Sequence, residues 1–374
     1  MIMNTNENNE IKIIKTANII VSGITGSGKS TLINSVFKKN FAATGKGRPI
    51  TQEIREYQDP TVPVRIWDTV GFEIGTDDDG VPKTVKSIQN IKQTIAEQYT
   101  KEQADHIHAI WYCINQGSNK YQPTEASFVK ELQSIGVPFI MVITQCTDED
   151  DDFKRQIIEM NKKNNITDIP IIEVLAQDKT FRGGTSVPAF GLDDLVDKTL
   201  ELLPDFIKSS FIAGQQIDAE LKRKECERII AEYTKKAEDS FAVKIAISNL
   251  VYVHNIIKEM SKKISEVFNQ VFSEEECSKI IDEVFMFKGA LLTFLNFPIM
   301  IMTMVQALPL WMKMYWRLSM HPQEVVNFIP HFGNALIVSF EKAWIKKRDD
   351  EMMDVDAFVN KELKQQLKRN FSNC

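Results

Sequence analysis

A stretch near the start of the chain, Gly23-Ile24-Thr25-Gly26-Ser27-Gly28-Lys29-Ser30, has the residue types of a phosphate-binding loop. Its glycines let successive backbone N–H groups turn toward a pyrophosphate, Lys29 supplies positive charge for the outer phosphates, and the Ser30 hydroxyl is a ligand for Mg²⁺. The apolar run 17–21 predicts a buried strand before the loop, and residues 29–38 predict a helix after it. The residues expected to bind phosphate are Gly23, Thr25, Gly26, Ser27, Gly28, Lys29, Ser30 and Thr31.

A switch segment is predicted downstream of this loop. Residues 41–54 are rich in Gly, Ala and Thr and show no helical or strand period before Glu53, which predicts a mobile loop leading into a strand. Thr51 is the best-placed hydroxyl to complete Mg²⁺ coordination and contact the terminal phosphate, with Thr44 as a weaker alternative. The other interpretation of Thr51 is a loop threonine that begins a strand.

A hairpin follows, formed by predicted strands at 53–58 and 62–67 around the turn Asp59-Pro60-Thr61. The second strand leads directly into Asp68-Thr69-Val70-Gly71. A carboxylate at the end of a strand beside a phosphate loop can hold a metal-bound water, and a glycine three residues later lets its N–H approach the terminal phosphate. The predicted metal site is therefore Ser30, Thr51 and Asp68.

In this order, the motifs resemble the translation-factor-related class of P-loop GTPases, the Ras-like and Era-like proteins. The hairpin between switch and metal aspartate separates that class from motor-type and kinase-type P-loop proteins. The runs 44–52 and 68–73 are similar to bacterial-type Era-like GTPases with a C-terminal helical domain. The resemblance covers about residues 16–205. It implies an α/β domain with a mostly parallel sheet and one antiparallel hairpin strand, GTP and GDP as ligands, and Mg²⁺.

Two departures from the family pattern affect the expected chemistry, and the first concerns hydrolysis. Phe72 stands where Ras-like proteins keep a glutamine that orients the attacking water, and a phenyl ring cannot do so by hydrogen bonding. Hydrolysis is then intrinsically slow, or another group stabilises the transition state. Arg48 is that candidate, because it precedes Thr51 by the offset at which the chain resembles G-protein α subunits with their built-in arginine finger. A solvated arginine, or one that contacts a partner, is the alternative. The predicted catalytic residues are Lys29, Arg48, Thr51 and Gly71.

The second departure concerns the base. After a predicted strand at 137–144, the chain has Thr144-Gln145-Cys146-Thr147-Asp148, where the family has Asn or Thr, Lys, any residue and then a guanine-binding Asp. Gln145 replaces the lysine, and the aspartate comes one position late. GTP remains the favoured ligand, while ATP or weak base discrimination stays an alternative. The residues expected at the base are Thr144, Gln145, Asp148 and, in the loop after the next strand, Ala176.

Composition sets limits on other functions. The net charge of -6 argues against a broad basic surface for nucleic acid, and the five cysteines form no CxxC pair or Cys/His cluster, which predicts a cytoplasmic setting with free thiols. His106 and His108 form an HxH pair, for which a structural role is favoured over metal binding because no third ligand is evident. No structural zinc is indicated.

Three regions are predicted: a disordered lead-in at 1–15, a GTPase domain at 16–204 that ends at Pro204, and an all-α domain at 205–374. Within the last, residues 289–311 are uncharged, nearly continuous in apolar residues and long enough to span a bilayer, although Pro298 and Pro309 interrupt them. The centre of a helical bundle is the favoured interpretation. A shallow membrane-inserting hairpin is the alternative, which would make the protein peripheral at a membrane.

The expected function is a switch that hydrolyses GTP to GDP and phosphate with Mg²⁺, slowly or when a partner stimulates it, and couples nucleotide state to the helical domain. A membrane-docking or membrane-remodelling GTPase is one alternative. A binding-only pseudo-GTPase with loose base selectivity is another, suggested by Phe72 and the altered base motif. The partner classes considered are a protein effector, a second copy across the GTPase domain and a membrane at 289–311. No direct nucleic-acid binding is indicated, and contact with the ribosome through a local patch is the alternative.

Overall fold

The structure is a computed structural model of the chain. It describes residues 16–38, 48–49, 54–59, 62–69, 83–118, 121–147, 152–239, 249–270, 272–273, 275, 277–280, 322–350 and 353–372. The chain divides into two compact units, Met1–Asp218 and Ala219–Cys374. The second is called the helical unit below.

The first unit is built on a sheet. Its described strands are β1 (Ala17–Gly23), β2 (Arg48–Pro49), β3 (Ile54–Gln58), β4 (Val64–Thr69), β5 (Ala109–Asn115), β6 (Phe139–Thr144) and β7 (Ile171–Val174). They lie in the order β2-β3-β4-β1-β5-β6-β7. The pairs β4-β1, β1-β5, β5-β6 and β6-β7 are parallel, and β3 runs antiparallel to both β2 and β4. The predicted α/β fold, with a mostly parallel sheet and an antiparallel hairpin strand, is confirmed.

Helices cover the faces of this sheet, which explains why strands β1 and β6 are buried along their whole length. The helices are α1 (Lys29–Phe37), α2 (Lys83–Tyr99), α3 (Pro123–Gln133), α4 (Asp152–Lys163), α5 (Leu192–Leu202) and α6 (Asp205–Gly214). Every residue of β1 and β6 is buried. The Trp111 indole on β5 donates to the Thr199 hydroxyl on α5 at 3.0 Å and stacks with the Phe37 ring on α1, so side chains from both helices meet at one strand.

The two units divide after Asp218, later than the predicted boundary at Pro204. Pro204 is the N-cap of α6 rather than part of a linker. α6 belongs to the first unit because it packs on β1 and β4. A Cβ at Gly214 would lie 2.3 Å from Val64 Cγ2, so glycine allows this close packing.

The helical unit contains α7 (Ala219–Asp239), α8 (Asn249–Val267), α9 (Pro322–Asp349) and α10 (Val355–Ser372) among its described residues. α9 packs against the other three, and α7 also packs against α8. Phe268 and Phe272 both contact the Phe340 ring in its core. None of the helices in the described ranges combines the length and apolar composition that a membrane crossing needs. Residues 289–311 lie outside the described part of the chain.

Candidate functional site

The loop between β1 and α1 is held in a conformation that depends on its glycines. Gly26 and Gly28 both have φ of 80°, and Gly28 is the N-cap of α1. Gly23 has φ of 146°, and a Cβ there would lie 2.3 Å from the carbonyl oxygen of Cys113 on the neighbouring strand β5. The loop can therefore lie close to the sheet edge only because residue 23 has no side chain.

Lys29, the first residue of α1, folds back over this loop. Its Nζ donates to the carbonyl oxygens of Gly23 at 3.0 Å and Ile24 at 3.3 Å, and the side chain is buried. Burial lowers the pKa of Lys29, and this effect is opposed by the neighbouring Cys113 and Asp68. An ammonium group held at the mouth of a glycine loop is well placed to bind anionic phosphate oxygens.

Three side chains from the ends of β5 and β6 hold the carbonyl groups of the loop. The Thr144 hydroxyl donates to the carbonyl of Ser27 at 2.7 Å. The amide groups of Asn115 and Gln145 both donate to the carbonyl of Gly26, at 3.3 and 3.4 Å. These bonds fix carbonyls that would otherwise be free to turn toward a bound phosphate.

Two polar atoms at this site are buried without a hydrogen-bond partner among the described residues, Asp68 Oδ1 and Ser27 Oγ. Asp68 lies on β4, in register with Val21 on β1 and Arg55 on β3. Burial raises the pKa of Asp68 to about 6, although Lys29 and Arg55 act against this shift. Buried polar groups normally have partners, so such orphaned atoms indicate where a ligand or ion would bind.

The donor set fits a hydrated Mg²⁺ ion. Mg²⁺ prefers oxygen ligands and keeps several waters, using one or two protein groups together with substrate phosphates. The carboxylate of Asp68, with its orphaned oxygen, and the exposed residue Ser30 at the start of α1 provide oxygen atoms of this kind. MgGTP is therefore chemically compatible with the described part of the site.

A cavity of about 290 Å³ adjoins the loop at Gly28. It is lined from α1, from the end of β6 and from the segment after β7, by Gly28, Thr31, Leu32, Thr144, Gln145, Leu175, Ala176, Gln177, Asp178 and Lys179. Gln145 has φ of 56°, a left-handed conformation that is uncommon outside glycine. The cavity therefore lies directly beside the glycine loop and the start of α1.

The predicted site residues thus fall into two groups. Those from the phosphate loop lie together at one end of the sheet with Asp68, and Thr144, Gln145 and Ala176 line the adjoining cavity. Thr51, Gly71, Phe72 and Asp148 lie outside the described residues. Arg48 is described through its backbone, which pairs with Glu56 in β2-β3.

Sequence reasoning missed Asn115 and Gln116. The Gln116 Oε1 accepts from the backbone N–H of Thr147 at 2.8 Å, so this side chain holds the base motif as Asn115 holds the phosphate loop. Both residues were predicted only as loop. Their position directly after a buried strand, at the same sheet edge as the glycine loop, is the signal that could have found them.

His106 and His108 make separate contacts, and within the described ranges no cluster of three potential metal ligands occurs. His108 Nδ1 accepts from the backbone N–H of Asn18 at 3.0 Å, and burial lowers the pKa of His108 to about 4. His106 stacks on Tyr99 with ring centroids 4.4 Å apart. Both contacts agree with a structural role.

Comparison with known proteins gives a family for part of the chain. Residues 18–177 match the family described as "50S ribosome-binding GTPase". Among solved structures, a probable GTP-binding protein EngB is 19% identical with a TM-score of 0.33, and the match covers 50% of this chain and 98% of that one. No curated protein matches the chain.

Two structures of Era also align. Era from Aquifex aeolicus, solved with GDP and AlF4⁻, is 18% identical with a TM-score of 0.33. Era with MgGDPNP and a 16S ribosomal RNA fragment is 20% identical, also with a TM-score of 0.33. Each match covers 51% of this chain and 58% of the Era chain. The family match covers the part of the chain that contains the glycine loop and the mostly parallel sheet, so residues 18–177 are similar to a GTPase domain with the P-loop fold.

Proposed function

We propose that the protein is a Mg²⁺-dependent switch that hydrolyses GTP to GDP slowly, or when a partner stimulates it, and transmits its nucleotide state to the helical unit. The observation that carries this proposal is that the Lys29 ammonium group and the buried, partnerless Asp68 Oδ1 both lie beside the glycine loop. The ammonium group can bind phosphate oxygens, and the unsatisfied carboxylate oxygen can hold the metal ion that those phosphates bind.

Each residue has a proposed role. Lys29 binds the outer phosphates, Ser30 and Thr51 bind Mg²⁺ directly, and Asp68 binds it through water. The ion, when bound, neutralises charge on the phosphate oxygens. The Gly71 N–H responds to the terminal phosphate, and the cavity lined by Gln145 and Ala176 receives the base.

Slow turnover is proposed because Phe72 replaces the water-orienting glutamine of Ras-like proteins. Arg48 is the group proposed to stabilise the transition state instead. Its backbone on β2 pairs antiparallel with Glu56 on β3. Arg48→Ala should lower single-turnover hydrolysis by orders of magnitude while leaving GDP affinity unchanged. Unaltered hydrolysis in this variant would remove Arg48 from the mechanism.

The partner of the switch is proposed to be a protein effector. The matched family is described by ribosome binding, and one aligned Era structure contains ribosomal RNA, so ribosomal particles form a second class to test. Co-sedimentation of the full chain with ribosomes, in GDP and in a GTP analogue, tests the expectation of no direct nucleic-acid contact. Nucleotide-dependent co-sedimentation that persists with protein-free ribosomal RNA would contradict it.

The proposed chemistry is tested by GDP and GTP affinity with and without Mg²⁺. Asp68→Asn keeps the shape of the side chain but removes its charge, so the gain in affinity that Mg²⁺ provides should shrink at least about tenfold. Glu56→Gln, which alters a neighbouring carboxylate on β3, is the matched control and should keep the gain. Wild-type affinity that does not respond to Mg²⁺ would refute the proposal.

A further inference from the structure

The cavity beside the glycine loop is lined by an acidic residue that the base motif did not predict. Among its lining residues, Asp178 is the one acidic side chain. It lies in the segment after β7, whereas the expected guanine-binding aspartate, Asp148, follows β6. The question is whether Asp178 is positioned to bind a ligand or is simply part of an exposed turn.

The segment around Asp178 is fixed by backbone bonds. Leu175 and Phe190 exchange two N–H···O bonds of 3.1 and 3.0 Å, and Lys179–Thr180 (β8) pairs antiparallel with Ser186–Val187 (β9). Gly191 closes the segment with φ of 75°, packed so closely that a Cβ would lie 2.0 Å from the carbonyl oxygen of Glu173. A short hairpin therefore begins at the edge of the cavity.

The Asp178 carboxylate is held by this hairpin through one oxygen. Asp178 Oδ1 accepts from the backbone N–H of Ala189 at 2.8 Å. The neighbouring Lys179 directs its Nζ over the Phe181 ring, 5.5 Å from the centroid. Within the described ranges, no lysine or arginine forms an ion pair with Asp178, so its other oxygen is available to a ligand.

The chemistry of a carboxylate in a purine cavity is selective. Guanine presents an N1–H and an N2 amino group side by side, two donors that a carboxylate can accept together. Adenine has an acceptor at N1, so a carboxylate facing that edge is left with an unfavourable contact. A polar site built for one pattern of donors discriminates strongly against a ligand that lacks it.

We propose that Asp178 is a specificity-determining residue that binds the Watson–Crick edge of guanine, in the role that the altered motif at 144–148 no longer assigns. This inference rests on the proposed function, because it requires that a purine nucleotide bind with its phosphates at the glycine loop. It differs from that function in naming the residue that selects the base and in moving it to the hairpin after β7.

Exchange of one atom tests the inference. In Asp178→Asn, the side-chain oxygen can still accept from Ala189, so the hairpin is preserved, while the new NH₂ group matches the O2 acceptor of xanthine instead of the amino group of guanine. The measurement is competition of GDP, XDP, IDP and ADP for the full chain with Mg²⁺. Asp178→Asn should weaken GDP at least about tenfold and strengthen XDP by a similar factor.

Two further variants complete the test. Asp193→Asn, on an exposed carboxylate in the first turn of α5 that does not line the cavity, should keep the wild-type preference. Asp148→Asn tests the alternative that Asp148 binds guanine. We expect the preference to change from GDP to XDP in Asp178→Asn and to stay unchanged in Asp148→Asn. The reverse pattern would overturn the inference.

A loss of GDP affinity in Asp178→Asn without any gain for XDP would also overturn the inference, because that is the result for a carboxylate that binds ribose hydroxyls. Failure of the inference is distinguishable from failure of the proposed function. If the wild type binds GDP and Asp178→Asn does not alter base preference, the inference alone fails. If the wild type binds no purine nucleotide, the proposed function fails with it.

Discussion

The helical unit contains a fully buried lysine, and its titration should control the stability of that unit. Lys222 on α7 is 0% exposed, and its Nζ donates to the carbonyl of Val267, the last residue of α8, at 2.8 Å. Burial lowers the pKa of Lys222 from 10.5 to about 7. At a pH between about 7 and 10.5, this side chain therefore binds a proton in the unfolded chain but not in the folded chain. The free energy of unfolding should rise with pH across this interval.

The magnitude follows from this difference in pKa. At about 1.4 kcal/mol per pH unit, the free energy of unfolding should rise by about 5 kcal/mol over the full interval and by about 3 kcal/mol between about pH 7 and about pH 9.5. Lys222→Met removes the titrating group and also leaves the Val267 carbonyl without this donor, a loss of about 1–3 kcal/mol that does not depend on pH. The free energy of unfolding of the variant, relative to that of the wild type, should therefore be about 3 kcal/mol more favourable at about pH 7 than at about pH 9.5.

Urea unfolding followed by far-UV circular dichroism measures this difference at both pH values. Lys224→Met, two residues along on the exposed face of α7, is the matched control and should show no pH-dependent difference from wild type. If Lys222→Met differs from wild type by the same free energy at both pH values, Lys222 is not a buried neutral amine, and the packing described for α7 and α8 is wrong.

Three predictions concern the first unit. Gly23→Ala should abolish nucleotide binding and lower the melting temperature strongly, because its Cβ would meet the Cys113 carbonyl; Gly26→Ala, with open space around its Cβ, should be milder in a thermal-shift assay. Stability should fall by about 3 kcal/mol as the pH drops from 6.5 to 4, because folding keeps His108 neutral while the unfolded chain takes up the proton, and His108→Gln should remove this component in acid titrations. Thr144→Val should weaken GDP roughly tenfold by removing a hydrogen bond to the phosphate loop, whereas Thr144→Ser should not, as measured by fluorescent nucleotide displacement.

Elements with a strong hydrophobic period could be predicted from the sequence closely. The helical spacing of Val85, Ile88, Ile91 and Ile95 predicts a helix at 82–101, which is observed as Lys83–Tyr99. The amphipathic pattern at 192–203 predicts a closing helix, which is observed as Leu192–Leu202. These helices lie against the sheet, so burial sets the same period in the sequence that it sets in the structure. The sequence predicts a surface loop at 181–190, where the structure has part of a short hairpin that pairs Lys179–Thr180 with Ser186–Val187. Strands of two residues are too short to show an alternation in the sequence.

The phosphate loop was predictable because its function depends on a local run of residues. The groups that hold the loop were not, since Asn115 lies 89 positions from Gly26 and the two meet only through the parallel strand order. Asp178 could not be predicted either, because it lines the cavity only where the segment after β7 lies beside the glycine loop. Long-range positions of this kind follow from the topology and not from local spacing.

The glycine loop, Lys29 and Asp68 are proposed to bind and hydrolyse GTP. The most direct measurement is single-turnover hydrolysis of GTP by the full chain with Mg²⁺, compared with Lys29→Ala and with ATP as substrate. We expect slow but measurable formation of GDP and phosphate by the wild type, a rate at least about a hundredfold lower in the variant, and slower hydrolysis of ATP than of GTP. GTP that binds without being hydrolysed, or hydrolysis that persists in Lys29→Ala, would contradict the proposal.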